Sequence, residues 1–220
     1  MRVILFGATG MVGQGVLREC LLDGEIESVL SIGRSNTGRQ DAKLKEIVHQ
    51  DFSDFSTIEA RLKGYDTCFF CLGASAVGMK EADYERVTYG YTLAAAEMLV
   101  RLNPGMTFEY VSGAGTDSTE RGRAMWARVK GKTENALLGM PFKAAYMLRP
   151  GYIQPMHGIR SKTGWYQALY TVMAPLYPMW KAVTPNYVTT TEQLGRAMIA
   201  IAKKGAARRV LECRDINAMA

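Results

Sequence analysis

Short apolar runs alternate along this chain with longer stretches in which apolar residues recur every three or four positions. RVILF (2–6), SVLSIG (28–33), EIVHQ (46–50), TCFFCL (67–72), TFEYVS (107–112) and KAAYMLR (143–149) read as six strands. TCFFCL is apolar throughout, the pattern of a strand covered on both faces. Between the strands the spacing predicts helices starting near Met11, around 54–63, over roughly 81–102 and over about 121–139. Asn103-Pro104-Gly105 closes the third of these, and Pro150-Gly151 ends the sixth strand sharply. Strands joined by crossover helices make a parallel sheet with helices on both faces, an α/β protein whose ligands lie beyond the carboxyl ends of the strands. After residue 150 the pattern loosens into helices near 164–182 and 190–204 and a short strand, RRVLEC, at 208–213. A single domain over 1–220 is expected, with 151–220 as a small cap on the substrate side.

Composition narrows the function classes. A 220-residue chain with 48% hydrophobic and 22% charged residues is that of a folded protein rather than a disordered one. The net charge of +6 suits an anionic ligand, but the basic residues are scattered. The densest cluster, KKGAARR at 203–209, falls at a helix C-terminus, where cations favour the macrodipole. No nucleic-acid-binding signature accompanies it. Cys68 and Cys71 form a CxxC, but residues three apart in a strand face opposite ways, so the pair cannot close a disulfide; with Cys20 and Cys213 they read as core residues. With only His49 and His157 to add, no metal site is expected. WYQALYTVMAPLYPMWKAV (165–183) is apolar enough to raise a membrane span, but Gln167, Pro175, Pro178 and Lys181 argue against one. MRVILFGATG enters a strand without a signal-peptide layout, which suggests a cytoplasmic protein.

The chemistry begins at GATGMVG. Gly7, Gly10 and Gly13 follow the first strand directly and run into the first helix. Such spacing serves a tight turn, a close backbone approach to a pyrophosphate, and helix–strand packing, with the helix N-terminus facing the phosphates. A Rossmann-type, doubly wound dinucleotide-binding fold is therefore expected. The second strand ends in IGRS, where an acidic residue would bind both ribose hydroxyls of NAD. Arg34 stands there instead, with Ser35 beside it and Arg39 nearby. A guanidinium pairs bidentately with a 2′-phosphate, so NADP is preferred to NAD. Asp51 and Phe52 follow the third strand and are placed to meet the adenine edge.

Together GATGMVG, IGR, FFCLGAS, VSGAG, WARVKGKTE and LRPGYI resemble the short-chain dehydrogenase/reductase superfamily, in its atypical, NmrA-like and epimerase-like NAD(P)H-binding branch. The resemblance implies that Gly7, Thr9, Gly10, Met11 and Val12 cradle the pyrophosphate and that Cys71, Leu72 and Gly73 run under the adenosine ribose. It further implies Ser112 as the catalytic-serine position, Lys130 on the nicotinamide ribose, and Pro150, Gly151 and Ile153 against the nicotinamide. Two positions depart: Trp126 replaces the tyrosine four residues before the lysine, and Thr88 stands where many relatives have asparagine.

An indole N–H donates a hydrogen bond but does not ionise near neutral pH, so Trp126 is not an acid. Three readings stay open. Hydride transfer persists with a proton from water or from Tyr84, Tyr89, Tyr91 or Tyr152; the acceptor is a quinone, flavin or enone that needs no strong acid; or the protein binds NADPH without chemistry, as a redox sensor or regulator. The aromatic-rich stretch with Trp165, Tyr166, Tyr170, Met173, Tyr177, Met179 and Trp180 is expected as cap core, dimer face or pocket wall, the last implying a small apolar substrate. A monomer or homodimer is expected. Lys132 and Glu134 read as a solvated helix face.

Overall fold

The computed structural model describes residues 1–159 and 184–220. The aromatic stretch and the helix expected over 164–182 lie outside the described residues. Seven strands make one parallel sheet: β1 (Arg2–Phe6), β2 (Ser28–Gly33), β3 (Leu44–Val48), β4 (Thr67–Phe70), β5 (Thr107–Val111), β6 (Ala144–Arg149) and β9 (Val210–Glu212), in the order β3-β2-β1-β4-β5-β6-β9. β1 is central, with Val3 level with Val29 on one side and Thr67 on the other. Strand order reverses between β1 and β4, which opens the crevice where such sheets hold ligands.

Alternation along the strands sorts side chains into two cores. Ile4, Phe6, Leu30, Ile32, Phe70, Phe108 and Tyr110 face helix α3 (Tyr91–Leu102) and the end of α4 (Met125–Leu138). Val3, Leu5, Val29, Phe69 and Leu148 face α1 (Met11–Leu22), α5 (Thr191–Lys204) and α6 (Cys213–Met219). This two-sided burial is why the strands read as continuous apolar runs. The cysteines obey the same alternation: Cys68 packs in the first core and Cys71 against the second, and all four are free.

Three helical stretches differ from the expected ones. Residues 56–62 wind as a 3-10 helix. The helix over 81–102 contains α2 (Glu81–Glu85), a π-helical segment Arg86–Gly90, and α3. α4 begins at Met125 rather than near 121 because the Asp117 carboxylate gathers the N–H groups of Thr119, Arg121 and Gly122 into a turn just before it.

The described part of 151–220 is more than a cap. β9 completes the main sheet, and α5 packs on α1 so closely that a Cβ on Gly195 would stand 2.8 Å from the Glu19 side chain. α5 carries a complete set of end signals: Thr190 accepts from the Gln193 N–H at 2.9 Å, Glu192 lies in the first turn, and Lys203 and Lys204 lie in the last. A second, two-stranded parallel sheet pairs β7 (Tyr152–Gln154) with β8 (Val188–Thr190). Among the described residues no helix is long and apolar enough to cross a membrane, and no group of ligating side chains could hold a metal ion.

Candidate functional site

The turn from β1 into α1 is packed backbone against backbone. Gly7 has φ +80°, and a Cβ there would stand 2.7 Å from the Cys71 carbonyl and the Leu72 nitrogen. A Cβ on Gly13 would run into the Gly7 carbonyl and stand 2.9 Å from the Ala8 Cα. Gly10 donates to the Gly7 carbonyl at 2.9 Å and caps α1. Unlike α5, α1 has no side-chain cap and no acidic residue in its first turn. Its first N–H groups, at Met11, Val12 and Gly13, have no partner inside the helix, and the macrodipole makes this end positive. Such a turn fits a pyrophosphate. The Thr9 carbonyl accepts from the Gln14 side chain at 3.2 Å, which steadies the loop. Cys71, Leu72 and Gly73 leave β4 alongside, the Cys71 N–H donating to the Phe6 carbonyl at 3.0 Å. The residues present therefore fit a dinucleotide cofactor at the β1/β4 crevice.

On the adenosine side, Arg34, Ser35 and Arg39 are exposed. Gln50 donates to the Arg34 backbone carbonyl at 3.0 Å, while the guanidinium has no ion pair among the described residues. Asp51 is also exposed, its carboxylate held below the usual range by the hydroxyl and N–H of Ser53. The Phe52 ring is 2% exposed, edge-on to Phe6 at 6.3 Å and to Phe55 at 5.8 Å, so its side chain packs in the core.

At the end of β5 the structure brings Ser112 and Lys130 together, with Trp126 one helical turn before Lys130 on α4. The Ser112 hydroxyl is buried and donates to Glu134 Oε1 at 2.5 Å, with the Leu148 carbonyl at 3.1 Å. The Lys130 ammonium donates to the Ser112 backbone carbonyl. Burial lowers the Lys130 pKa to about 8, against an opposing pull from Glu134. Trp126 is half-buried, and the far edge of its indole lies over Gly115, 3.3 Å from where a Cβ would stand. Pro150 is buried and its carbonyl accepts from the Ala114 N–H at 2.8 Å. A Cβ on Gly151 would meet the Tyr187 backbone, and Ile153 is 9% exposed in the second core, so its side chain packs there rather than standing free.

Glu134 is the main correction to the sequence reading. It is not on a solvated face: it is fully buried and ion-paired with Arg149, whose Nε donates to Oε1 at 3.0 Å. Arg149 also reaches Ser118 at 2.6 Å and Glu212 at 3.3 Å. Lys132 does lie at the surface, paired with Glu85 at 2.6 Å and set over the Tyr89 ring. Tyr84 is buried, Tyr91 packs on Phe52, and the Tyr152 hydroxyl donates to Gln154 at 2.9 Å. Thr88 sits in the π-helical segment with its hydroxyl buried and unpartnered among the described residues. π-Helical segments often mark functional sites, and hydrophobic spacing alone does not register one.

No family model matches the chain. Among characterised sequences it is 29% identical over 152 residues to the protein FMP52-2, mitochondrial, of Scheffersomyces stipitis, covering 68% of this chain and 65% of that one. It is 27% identical over 154 residues to the protein HTATIP2 of Rattus norvegicus, covering 69% and 62%. The match thus spans just under two thirds of each relative's length. Among solved structures, a short-chain dehydrogenase/reductase of Saccharomyces cerevisiae matches with a TM-score of 0.66 at 12% identity, covering 100% of this chain and 98% of that one. A UDP-N-acetylglucosamine 4-epimerase of Methanobrevibacter ruminantium M1 matches with a TM-score of 0.69 at 15% identity, covering 95% and 74%. The expected cytoplasmic location is corrected by these relatives, since the fungal proteins are named mitochondrial. That expectation rested on the start of the chain alone, which carries too little information about an address. The resemblance read from the motifs agrees with both comparisons: the chain has the fold of solved short-chain dehydrogenase/reductase and 4-epimerase structures and is similar in sequence to the FMP52 and HTATIP2 proteins.

Proposed function

We propose that the chain is an NADP(H)-binding oxidoreductase whose acceptor is a small apolar carbonyl, enone or quinone, with enones and quinones preferred to simple ketones. A bound nicotinamide cofactor supplies the hydride. Gly7–Gly13 and the open α1 N-terminus hold the pyrophosphate, Arg34 takes the 2′-phosphate, and Lys130 holds the nicotinamide ribose. Trp126 walls the reacting face and offers a flat apolar surface to a conjugated acceptor. A mitochondrial setting, in line with the fungal relatives' names, goes with this reading.

One observation carries the preference: the Ser112 hydroxyl is committed to Glu134 at 2.5 Å beside a tryptophan at the tyrosine position. Neither group delivers a proton to a ketone oxygen. An acceptor that spreads the incoming charge over a conjugated system asks less of an acid. Lys130, with a pKa of about 8, is the remaining ionisable group on that helix face suited to proton transfer near neutral pH. The same withdrawal of Ser112 supports a second reading, a non-catalytic NADPH-binding sensor.

The test is NADPH consumption against ketones, enones and quinones, for the native chain and Trp126→Tyr. Native turnover of an enone or quinone, with ketones gained only by the variant, supports the oxidoreductase. Tight NADPH binding with no turnover by the native chain, and ketone reduction only in the variant, supports the sensor. Failure of both proteins to bind NADPH overturns both readings.

A further inference from the structure

Ser112, Lys130, Glu134 and Arg149 form one connected unit, in which Ser112 and Glu134 are buried and Lys130 and Arg149 half-buried. Lys130 and Glu134 are one turn apart on α4 and so share a face. Lys130 donates to the backbone carbonyl of Ser112, and the hydroxyl of that same serine donates to Glu134 Oε1 at 2.5 Å. Glu134 is fully buried, and its carboxylate is closed off by Arg149 at the end of β6. The other charged or titratable groups around the unit are Tyr110 of β5, close to Glu134, and Glu212 of β9, which lies 3.3 Å from Arg149. No carboxylate pairs directly with Lys130 among the described residues. An ammonium taken out of water without a partner loses its charge readily, and the nearest negative charge decides how far.

We propose that Glu134 is a positioning residue of the cofactor site, which holds Ser112 and the carbonyl on which Lys130 rests, and keeps the Lys130 ammonium charged against its burial. The inference rests on the reading of Lys130 as the contact to the nicotinamide ribose. It gives the buried Glu134–Arg149 pair a role besides joining α4 to β6. Arg149 neutralises Glu134 only in part from the Lys130 side, so the pair sets the strength of the field that Lys130 feels. Ser112 acts here as a strut rather than as a donor to substrate.

The consequence is a pH dependence of cofactor binding that needs no substrate. Lys130 loses its proton as pH rises through about 8, so NADPH binding by the native chain weakens there. Glu134→Gln removes the charge that opposes desolvation and moves this midpoint to lower pH. NADPH titration followed by cofactor fluorescence, run at about pH 6 and about pH 8, separates the roles. At about pH 6 Lys130 is charged in both proteins and their affinities agree; at about pH 8 the variant binds roughly fivefold more weakly, the loss that a one-unit shift produces. A variant weakened equally at both pH values, or at neither, overturns the proposal. Where Glu134→Gln does not fold, Arg149→Met reads the same coupling: Glu134, buried and left without its ion pair, takes up a proton, and the midpoint falls as it does in Glu134→Gln. A rise or no movement in that variant overturns the proposal as well. Absence of NADPH binding by the native chain at either pH overturns the cofactor reading itself, and this inference with it.

Discussion

Gly7 and Cys71 meet backbone to backbone where β1 and β4 end, so that a Cβ on Gly7 would stand 2.7 Å from the Cys71 carbonyl. The contact lies at the point where strand order reverses, and it keeps the phosphate turn seated on the sheet. Two costs attend Gly7→Ala. The backbone at φ +80° is unfavourable for any residue with a Cβ, and the neighbour is backbone, which cannot step aside. A stability loss of about 2 kcal/mol or more is expected in chemical denaturation. NADPH binding is expected to weaken in the same variant, because the turn that presents the α1 N-terminus is displaced. A variant with native stability and affinity would show that the turn tolerates movement.

Arg34 separates the two cofactors. Its guanidinium is exposed and without an ion pair among the described residues, at the end of β2 where an NAD-specific site would place a carboxylate. Calorimetric titration is expected to show NADPH binding more tightly than NADH. Arg34→Ala is expected to weaken NADPH by about tenfold or more, the worth of a charge-assisted hydrogen bond, and to leave NADH nearly unchanged. Equal affinities of the native chain for the two cofactors would defeat the 2′-phosphate assignment.

Glu109 makes the core sensitive to alkali. It lies in the middle of β5, is fully buried, and neither carboxylate oxygen has a hydrogen-bond partner among the described residues. Burial raises its pKa well above the ordinary carboxylate value. The folded chain therefore keeps a proton that the unfolded chain releases above about pH 4.5. With more protons bound when folded, this group's contribution to stability falls as pH rises through that value, and goes on falling until the folded pKa is reached. Glu109→Gln removes the linkage. The stability difference, variant minus native, is expected to grow with pH by up to about 1.4 kcal/mol per unit. Parallel pH profiles for the two proteins would mean that Glu109 is ionised in the fold, or partnered.

How much of this was legible in the sequence depended on how local each signal is. The turn of Gly7, Gly10 and Gly13, the six long strands and the withdrawal of the usual acid at Trp126 all lie within a few consecutive residues. Glu134 was not legible, because with Lys132 it reads as a solvated, charged helix face. Its partner Arg149 is 15 residues away, and only the crossover from α4 into β6 brings them together. Phe52 is expected at the adenine edge from its position and Ile153 against the nicotinamide from the resemblance, and neither local signal registers that both side chains pack in the cores. β7 and β8 are three residues each, too short for alternation to mark them, whereas β9, equally short, lies within the expected strand RRVLEC.

Gly131 follows Lys130 directly and lies against the turn that precedes α4. A Cβ there would run into the Asp117 carbonyl and stand 3.1 Å from the Ser118 nitrogen. That turn is not free to retreat. The Asp117 N–H donates to the Ala127 carbonyl at 3.1 Å, and its carboxylate is fixed by three backbone N–H groups. Gly131→Ala therefore forces α4 and the turn apart, and with α4 moves the Lys130 ammonium off the Ser112 carbonyl. In an exposed helix interior this change would stabilise by about 1 kcal/mol through propensity. Here overpacking of about 1–3 kcal/mol opposes it, so the net effect is a loss of stability. NADPH affinity is expected to fall further than stability alone explains, with no contact to the cofactor having been removed. A Gly131→Ala protein that melts later than the native chain and keeps its NADPH affinity would show that α4 is held less tightly to this turn than the packing implies.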